Sequence, residues 1–203
     1  PDTLTAMQNL ALVLDSQGDL AGAADMMRQA LDLQRDILGT RHPDTLTVMH
    51  NLAVTLHSQG DLAGAADMQR EVLDLRREIS GSHHPHTLTA MQKLATTLHS
   101  QGDLTGAAAM QREELDLTRD LLGTRHPHTL AAMQNLAVTL KSQGDLAGAA
   151  DMMRQALDLQ REILGIRHPD TLTAMQNLAL VLDSQGDLAG AADMMRQALD
   201  LQR

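Results

Sequence analysis

The sequence contains no phenylalanine, tyrosine or tryptophan. An apolar core must therefore be built from aliphatic residues and the 13 methionines, whose flexible thioethers fill irregular gaps. The same absence removes the aromatic platforms on which single-stranded nucleic acids stack. Lys and Arg total 16 against 26 Asp and Glu, and the resulting net charge of -10 opposes the phosphate neutralisation that nucleic-acid binding requires. The composition therefore predicts no nucleic-acid partner.

Cysteine is also absent. This excludes disulfides, thiolate nucleophiles and cysteine-based zinc sites. No apolar run approaches the ~18 residues that a membrane span needs, and the N-terminal residues show no signal-peptide pattern. We therefore expect a cytoplasmic protein that has no membrane partner.

The sequence repeats itself every 42 residues. The segment MQNLA at Met7 returns as MHNLA at Met49, as MQKLA at Met91, and again as MQNLA at Met133 and Met175. A period between about 20 and 50 residues is typical of stacked repeat architectures. Identity between residues 1–35 and 169–203 suggests recent duplication, so the differences between copies are more informative than their similarities. We predict a single array over 1–203, with copies at 1–42, 43–84, 85–126, 127–168 and a shorter 169–203.

Each copy carries the pattern of two helices. In the second copy, Pro43 opens a helix whose apolar residues recur at three- and four-residue steps: Leu46, Met49, Leu52, Ala53 and Leu56. Gly60 ends this helix, and Asp61 is a good N-cap for the second helix. We expect the second helix to end near Gly81, and Gly64 to keep its first turn thin so that the two helices approach closely. The chain is therefore predicted to be all-α, with ten helices.

The apolar and glycine pattern of each copy resembles the tetratricopeptide repeat, with Leu and Met where that family usually has aromatic residues: Met7, Leu10, Ala11, Leu14, Gly18, Leu20, Ala23, Met27 and Ala30. The closing segment LGTRHPDT looks like the 42-residue variant found in kinesin light chains. This resemblance implies a right-handed α-α superhelix that serves as a protein interaction scaffold. Its implied partner is a protein or peptide.

The resemblance also implies a binding groove lined by the first helices, in which an asparagine clamps the backbone of an extended peptide. An amide suits this role because it offers both a donor and an acceptor. The corresponding positions are Asn9, Asn51, Lys93, Asn135 and Asn177. The alternative is that these are ordinary polar surface residues that duplication has copied.

Several basic side chains share the predicted groove with the asparagines. His50 and His57 lie on the same helical face as Asn51, and His99 and Lys141 stand at the position of His57 in later copies. Because Lys93 can only donate hydrogen bonds, we expect it to select an acidic residue in the ligand. The histidines should strengthen that preference as the pH falls through ~6.5.

The histidine-rich segment SHHPHT, with His83, His84 and His86, raises the question of a metal site. One histidine precedes each internal proline, however, and helices pack ~8–10 Å apart, too far for shared ligation at ~2 Å. We therefore predict no metal and expect these histidines to pack at the helix junctions. No nucleophile, base and orienting group recur together, so the sequence also predicts neither an enzyme nor a cofactor.

Two further features carry predictions. Glu114 stands at an inward position of the helical register, where the other copies have small apolar residues: Ala30, Val72, Ala156 and Ala198. The first and last copies lack the polar sequence of capping repeats, so head-to-tail self-association is expected. A structural spacer that self-associates end to end, with no peptide ligand, is therefore the alternative function.

Overall fold

The computed structural model describes residues 2–202, and these residues form ten α-helices, two in each repeat, without a strand. Pro1 and Arg203, the predicted ends of the array, lie outside the described residues. The all-α prediction is confirmed. None of the ten helices combines the length and hydropathy that a membrane span requires. The helices are α1 (Asp2–Ser16), α2 (Leu20–Leu38), α3 (Pro43–Gln59), α4 (Leu62–Ser80), α5 (Pro85–Gln101), α6 (Leu104–Leu122), α7 (Pro127–Gln143), α8 (Leu146–Leu164), α9 (Pro169–Gln185) and α10 (Leu188–Gln202).

The predicted start and stop residues set the helix boundaries in the second repeat. Pro43 occupies the first turn of α3, and Gly60 ends that helix in the left-handed conformation, with φ of 86°. Asp61 caps α4, because its carboxylate accepts a hydrogen bond of 2.9 Å from the backbone N–H of Gly64. α4 ends at Ser80, directly before Gly81. At 19 residues, α4 is longer than the 17-residue α3.

The small size of Gly64 also serves the cap of its own helix. A Cβ built there would lie 2.5 Å from Oδ2 of Asp61, and the three nearest atoms all belong to the Asp61 carboxyl group. Gly64 therefore makes room for the capping carboxylate. The predicted close approach of the two helices at this residue stays a prediction.

The histidine before each proline is a helix N-cap. Nδ1 of His42, His84, His126 and His168 accepts a hydrogen bond from the backbone N–H two residues later, in each case at 3.2 Å. We expected these residues to pack at the helix junctions, whereas the imidazole replaces the oxygen of a usual capping side chain. The capping role requires Nδ1 to be unprotonated, because only then can it accept a hydrogen bond.

The chain forms two compact units, and the first contains α1 to α5. Within it each helix packs on the next helix in the sequence. The largest fully buried side chains of this unit come mainly from the first helices: Leu46, Met49, Leu52, Leu73 and Met91. Leu and Met thus fill the core without any aromatic residue.

The second unit contains α6 to α10, again with each helix packed on the next. Its core has the same composition, with Met133, Leu136, Met153, Leu157 and Met175 at its centre. The described residues of the two units therefore repeat one packing scheme. Whether the five copies form a single array stays a prediction.

Glu114 is a charged residue among buried side chains that are otherwise apolar or neutral polar. Its side chain is 7% exposed in α6, which confirms that the register points it inward. Burial raises the pKa of its carboxyl to about 7. Among residues 2–202 no group donates a hydrogen bond to its Oε2 atom. The position is therefore electrostatically unfavourable for the ionised form.

Candidate functional site

Neighbouring first helices lie side by side within each unit. In the first unit, Nε2 of His57 on α3 is 3.3 Å from Oγ of Ser100 on α5. In the second unit, Nζ of Lys141 on α7 donates a hydrogen bond of 3.2 Å to the carbonyl oxygen of Leu180 on α9. The first helices of each unit thus form a common surface, called the first-helix face below.

In the first unit, the first-helix face presents a row of polar residues at the clamp position. Asn9, Asn51 and Lys93 are all exposed, on α1, α3 and α5 respectively. In the second unit, Asn135 on α7 and Asn177 on α9 are half-buried. The predicted clamp residues therefore have more free surface in the first unit than in the second.

An apolar row runs beside the polar row. Val54, three residues after Asn51, is 45% exposed, and Leu12 stands in the same relation to Asn9 and is 57% exposed. In the second unit Val138 and Leu180 are each 50% exposed. Side chains three residues apart lie on the same side of a helix, so each asparagine stands next to an aliphatic side chain. Three residues after Lys93 the chain has Thr96 in place of an aliphatic residue, so the first-helix face is more polar in the third repeat.

The other predicted groove residues are less available than the sequence indicated. His50, His57, His99 and Lys141 are all half-buried. The ammonium group of Lys141 is engaged by the Leu180 carbonyl. The structure therefore leaves Lys93 as the most exposed basic residue of the predicted set.

His50 and Lys93 come together with a residue that the sequence reasoning missed. Burial lowers the pKa of His50, and the charges of Lys93 on α5 and Arg76 on α4 lower this pKa further. Arg76 is half-buried. The three side chains form a basic cluster, named here the His50 cluster. Arg76 belongs to a second helix, so the search along the first helices could not find it.

A cavity recurs in both units at equivalent positions. In the first unit it lies between α1, α2 and the start of α3, has a volume of about 570 Å³, and is lined by Gln8, Gln34 and Asp44 among others. In the second unit it lies between α7, α8 and the start of α9, has a volume of about 250 Å³, and is lined by Gln134, Gln160 and Asp170. Eight of the ten lining residues in the second unit, these three among them, follow residues that line the first cavity by three repeat lengths. The same positions of the repeat thus line a cavity in the first and in the fourth repeat.

The histidine-rich segment forms no metal cluster in the part of the chain that the structure describes. The rings of His84 and His86 lie 5.1 Å apart, but Nδ1 of His84 is occupied as the helix cap. His86 stands in the first turn of α5 and is exposed.

These features define the class of the protein as an array of helix-turn-helix repeats with an accessible first-helix face. The model of the tetratricopeptide repeat family matches residues 2–78, 65–120, 94–162 and 129–203. The chain belongs to this family. A comparison with curated protein sequences found no match.

Solved structures with the same fold support this assignment. A Podosopora anserina protein, a suggested kinesin light chain with nearly identical TPR-like repeats, is 23% identical, with a TM-score of 0.87 over 100% of this chain and 96% of that one. BtubC (BKLC) from P. vanneervenii is 22% identical, with a TM-score of 0.78 over 97% of this chain and 78% of that one. MamA from Desulfovibrio magneticus RS-1 is 17% identical, with a TM-score of 0.68 over 100% and 97%. At these identities the likeness shows the fold, and it confirms the predicted superhelical repeat fold.

Proposed function

We propose that this chain is a non-catalytic, cytoplasmic scaffold whose first-helix face binds an extended peptide. Tetratricopeptide repeat proteins are typical protein-interaction scaffolds. The supporting observation is the exposed asparagine next to an exposed aliphatic side chain, represented by Asn51 and Val54. The amide can pair with both the N–H and the C=O of a peptide backbone, while the aliphatic row receives a side chain of the peptide.

The clamp is tested by removing one amide. We expect Asn51→Ala to lower the affinity for many unrelated peptides on an array, by about tenfold, because two hydrogen bonds to each peptide backbone are lost. The matched control is Gln29→Ala, which removes an exposed amide from α2, outside the first-helix face. Equal losses for both variants, or none for Asn51→Ala, would reject the clamp.

Lys93 should control the charge preference of the ligand. We expect Lys93→Asn, which restores the residue of the other repeats, to reduce the preference for acidic peptides while general peptide binding is kept. The same array, read for the ratio of acidic to neutral ligands, measures this change. A preference for basic peptides in the unaltered chain, or an unchanged ratio in the variant, would contradict the proposal.

The pH dependence of acidic-peptide binding follows from the environment of His50. Its pKa is lowered by burial and by the charges of Lys93 and Arg76, so His50 takes up a proton only at a pH below the usual histidine pKa of ~6.5. A bound carboxylate favours the protonated ring, and affinity should therefore rise on acidification from pH 8 to pH 6, with the part due to His50 developing below pH 6.5. Titration calorimetry on His50→Gln should show a weaker rise. An identical pH profile would exclude His50 from the site.

The second candidate function is a spacer that associates end to end. Leu10 on α1 is 46% exposed, although its equivalent Leu52 is 1% exposed. Leu199 on α10 is 52% exposed, although its equivalent Leu157 is 2% exposed. These two apolar surfaces are the ones that an adjoining repeat covers elsewhere in the chain, so another copy could cover them in the same way.

A further inference from the structure

The positions that line the cavity in the first repeat carry different residues in the second repeat. In the first repeat its polar lining includes Gln8, Gln34 and Asp44, and the equivalent residues one repeat later are His50, Arg76 and His86. α4 and α5 have the same bounds as α2 and α3 one repeat earlier, α3 ends one residue later than α1 does, and each of these helices packs on the next. The second repeat therefore places basic or imidazole side chains where the first repeat has neutral and acidic ones.

A fourth replacement strengthens this change. Lys93 takes the place of Asn51, and its charge, like that of Arg76, acts on His50. On α4, the carboxylate of Glu78 pairs with Arg41, and that of Asp74 lies 3.9 Å from Arg77. Within residues 2–202 no ion pair joins a carboxylate to Arg76 or Lys93. The His50 cluster is thus an uncompensated positive site on a chain of net charge -10.

We propose that the His50 cluster binds the phosphate group of a phosphorylated serine or threonine in an extended peptide. The peptide part of this proposal rests on the proposed function. Two permanent cations and a titratable imidazole match the charge of a phosphate monoester, about -1.5 to -2 near pH 7, better than that of a single carboxylate. The planar guanidinium of Arg76 can donate two parallel hydrogen bonds to phosphate oxygens, and the ammonium of Lys93 adds a third donor.

Other repeats carry neutral amides at the positions of Arg76 and Lys93, so the proposed phosphate site is limited to the His50 cluster. Gln34 and Gln160 stand at the position of Arg76, and Asn51, Asn135 and Asn177 stand at that of Lys93. These positions therefore accept a neutral side chain without loss of the fold. The chain itself supplies the conservative variants that test the site.

The test compares one peptide of alanine and glycine that contains a single phosphoserine with the same peptide containing serine or glutamate. We expect the phosphopeptide to bind at least about tenfold more tightly than either, because hydrogen bonds between charged groups are stronger than those between neutral groups. Arg76→Gln and Lys93→Asn should each remove about tenfold of that affinity. Arg70→Gln removes a charge from the exposed face of α4, where Arg70 pairs with Asp67, and should have little effect.

A second probe, N-acetyl-phosphoserine amide, has no extended peptide and therefore tests the phosphate site independently of the proposed peptide clamp. A third probe, inorganic phosphate, shows whether the site prefers a phosphoester or the free ion. Binding of the small phosphoester that is lost in Arg76→Gln supports the site even if no peptide binds the first-helix face. Equal affinity for the glutamate and phosphoserine peptides would overturn the proposal in favour of a carboxylate site. Phosphoester binding that Arg76→Gln and Lys93→Asn leave unchanged, or tighter binding of inorganic phosphate than of either phosphoester, would also overturn it.

Discussion

Replacing Glu114 by alanine is expected to raise the melting temperature of the protein at pH 8. The carboxyl has a pKa of about 7 in the folded chain against 4.5 as its ordinary value. At 1.36 kcal/mol per pKa unit, this difference corresponds to about 3 kcal/mol of lost stability when the group is ionised. For cooperative unfolding of a chain of this size, the gain is roughly 6–12 °C. Alanine fits because its equivalents Ala30 and Ala156 are fully buried.

The sign of the pH dependence is fixed by the raised pKa. Below pH 4.5 Glu114 is protonated in both the folded and the unfolded chain, so it causes no loss of stability through ionisation. As the pH rises from 4.5 to about 7, the unfolded chain ionises first and stability falls, and above about 7 the loss is complete. The advantage of Glu114→Ala should therefore be largest at pH 8 and should shrink towards pH 5.

Thermal melts of the two proteins between pH 5 and pH 8 measure this effect. Asp120→Ala, which removes an exposed carboxylate from the same helix, is the control and should change the melting temperature little. A lower melting temperature for Glu114→Ala would show that the carboxylate is stabilised by a partner. A gain of equal size at every pH would show that packing, not ionisation, is responsible.

End-to-end association of the chain is expected at high protein concentration, and Leu199→Lys should abolish it. Residues 146–160 of α8 are identical to residues 188–202 of α10, and residues 1–17, which include α1, are identical to residues 169–185 of α9. The packed junction between α8 and α9 therefore already joins the two surfaces that α10 and α1 expose. A contact between α10 of one copy and α1 of the next would bury Leu199 and Leu10 as their equivalents are buried. Such a head-to-tail contact need not close into a ring.

Sedimentation velocity over a wide concentration range tests the association. The unaltered chain should show species larger than 22.0 kDa, and Leu199→Lys should sediment as the monomer. Ile79→Lys alters an aliphatic residue of α4 that is 46% exposed, and it should leave the association unchanged. If the unaltered chain sediments as a monomer at every concentration, the hypothesis of an end-to-end spacer is wrong.

The helix boundaries could be predicted from the sequence because local chemistry determines them. Pro43, Gly60 and Asp61 act through the backbone conformation and hydrogen bonds of their own turns, and the structure confirms all three. The inward position of Glu114 was predictable for a similar reason, since helical periodicity relates it to Val72 in the preceding repeat. The capping role of His42 was missed because histidine is seldom an N-cap.

The composition of the candidate site could be predicted only in part. Asn51 and Lys93 could be found from the sequence because both lie on first helices. Asn51 continues the repeated asparagine, and Lys93 interrupts it. Arg76 lies on the following second helix, and its closeness to His50 depends on how α3, α4 and α5 pack. The amides of Gln69 and Gln111 are 5% and 7% exposed, and the helical register alone indicates this burial because both stand at the position of Met27.

The binding of an extended peptide to the first-helix face is tested most directly by a structure of the chain with its strongest array peptide. The account predicts a peptide lying across α3, with the Asn51 side chain donating to a peptide carbonyl and accepting from a peptide N–H, and with a peptide side chain against Val54. A peptide bound only to the second helices or the connecting loops, with no contact to Asn51 or Val54, would contradict the account.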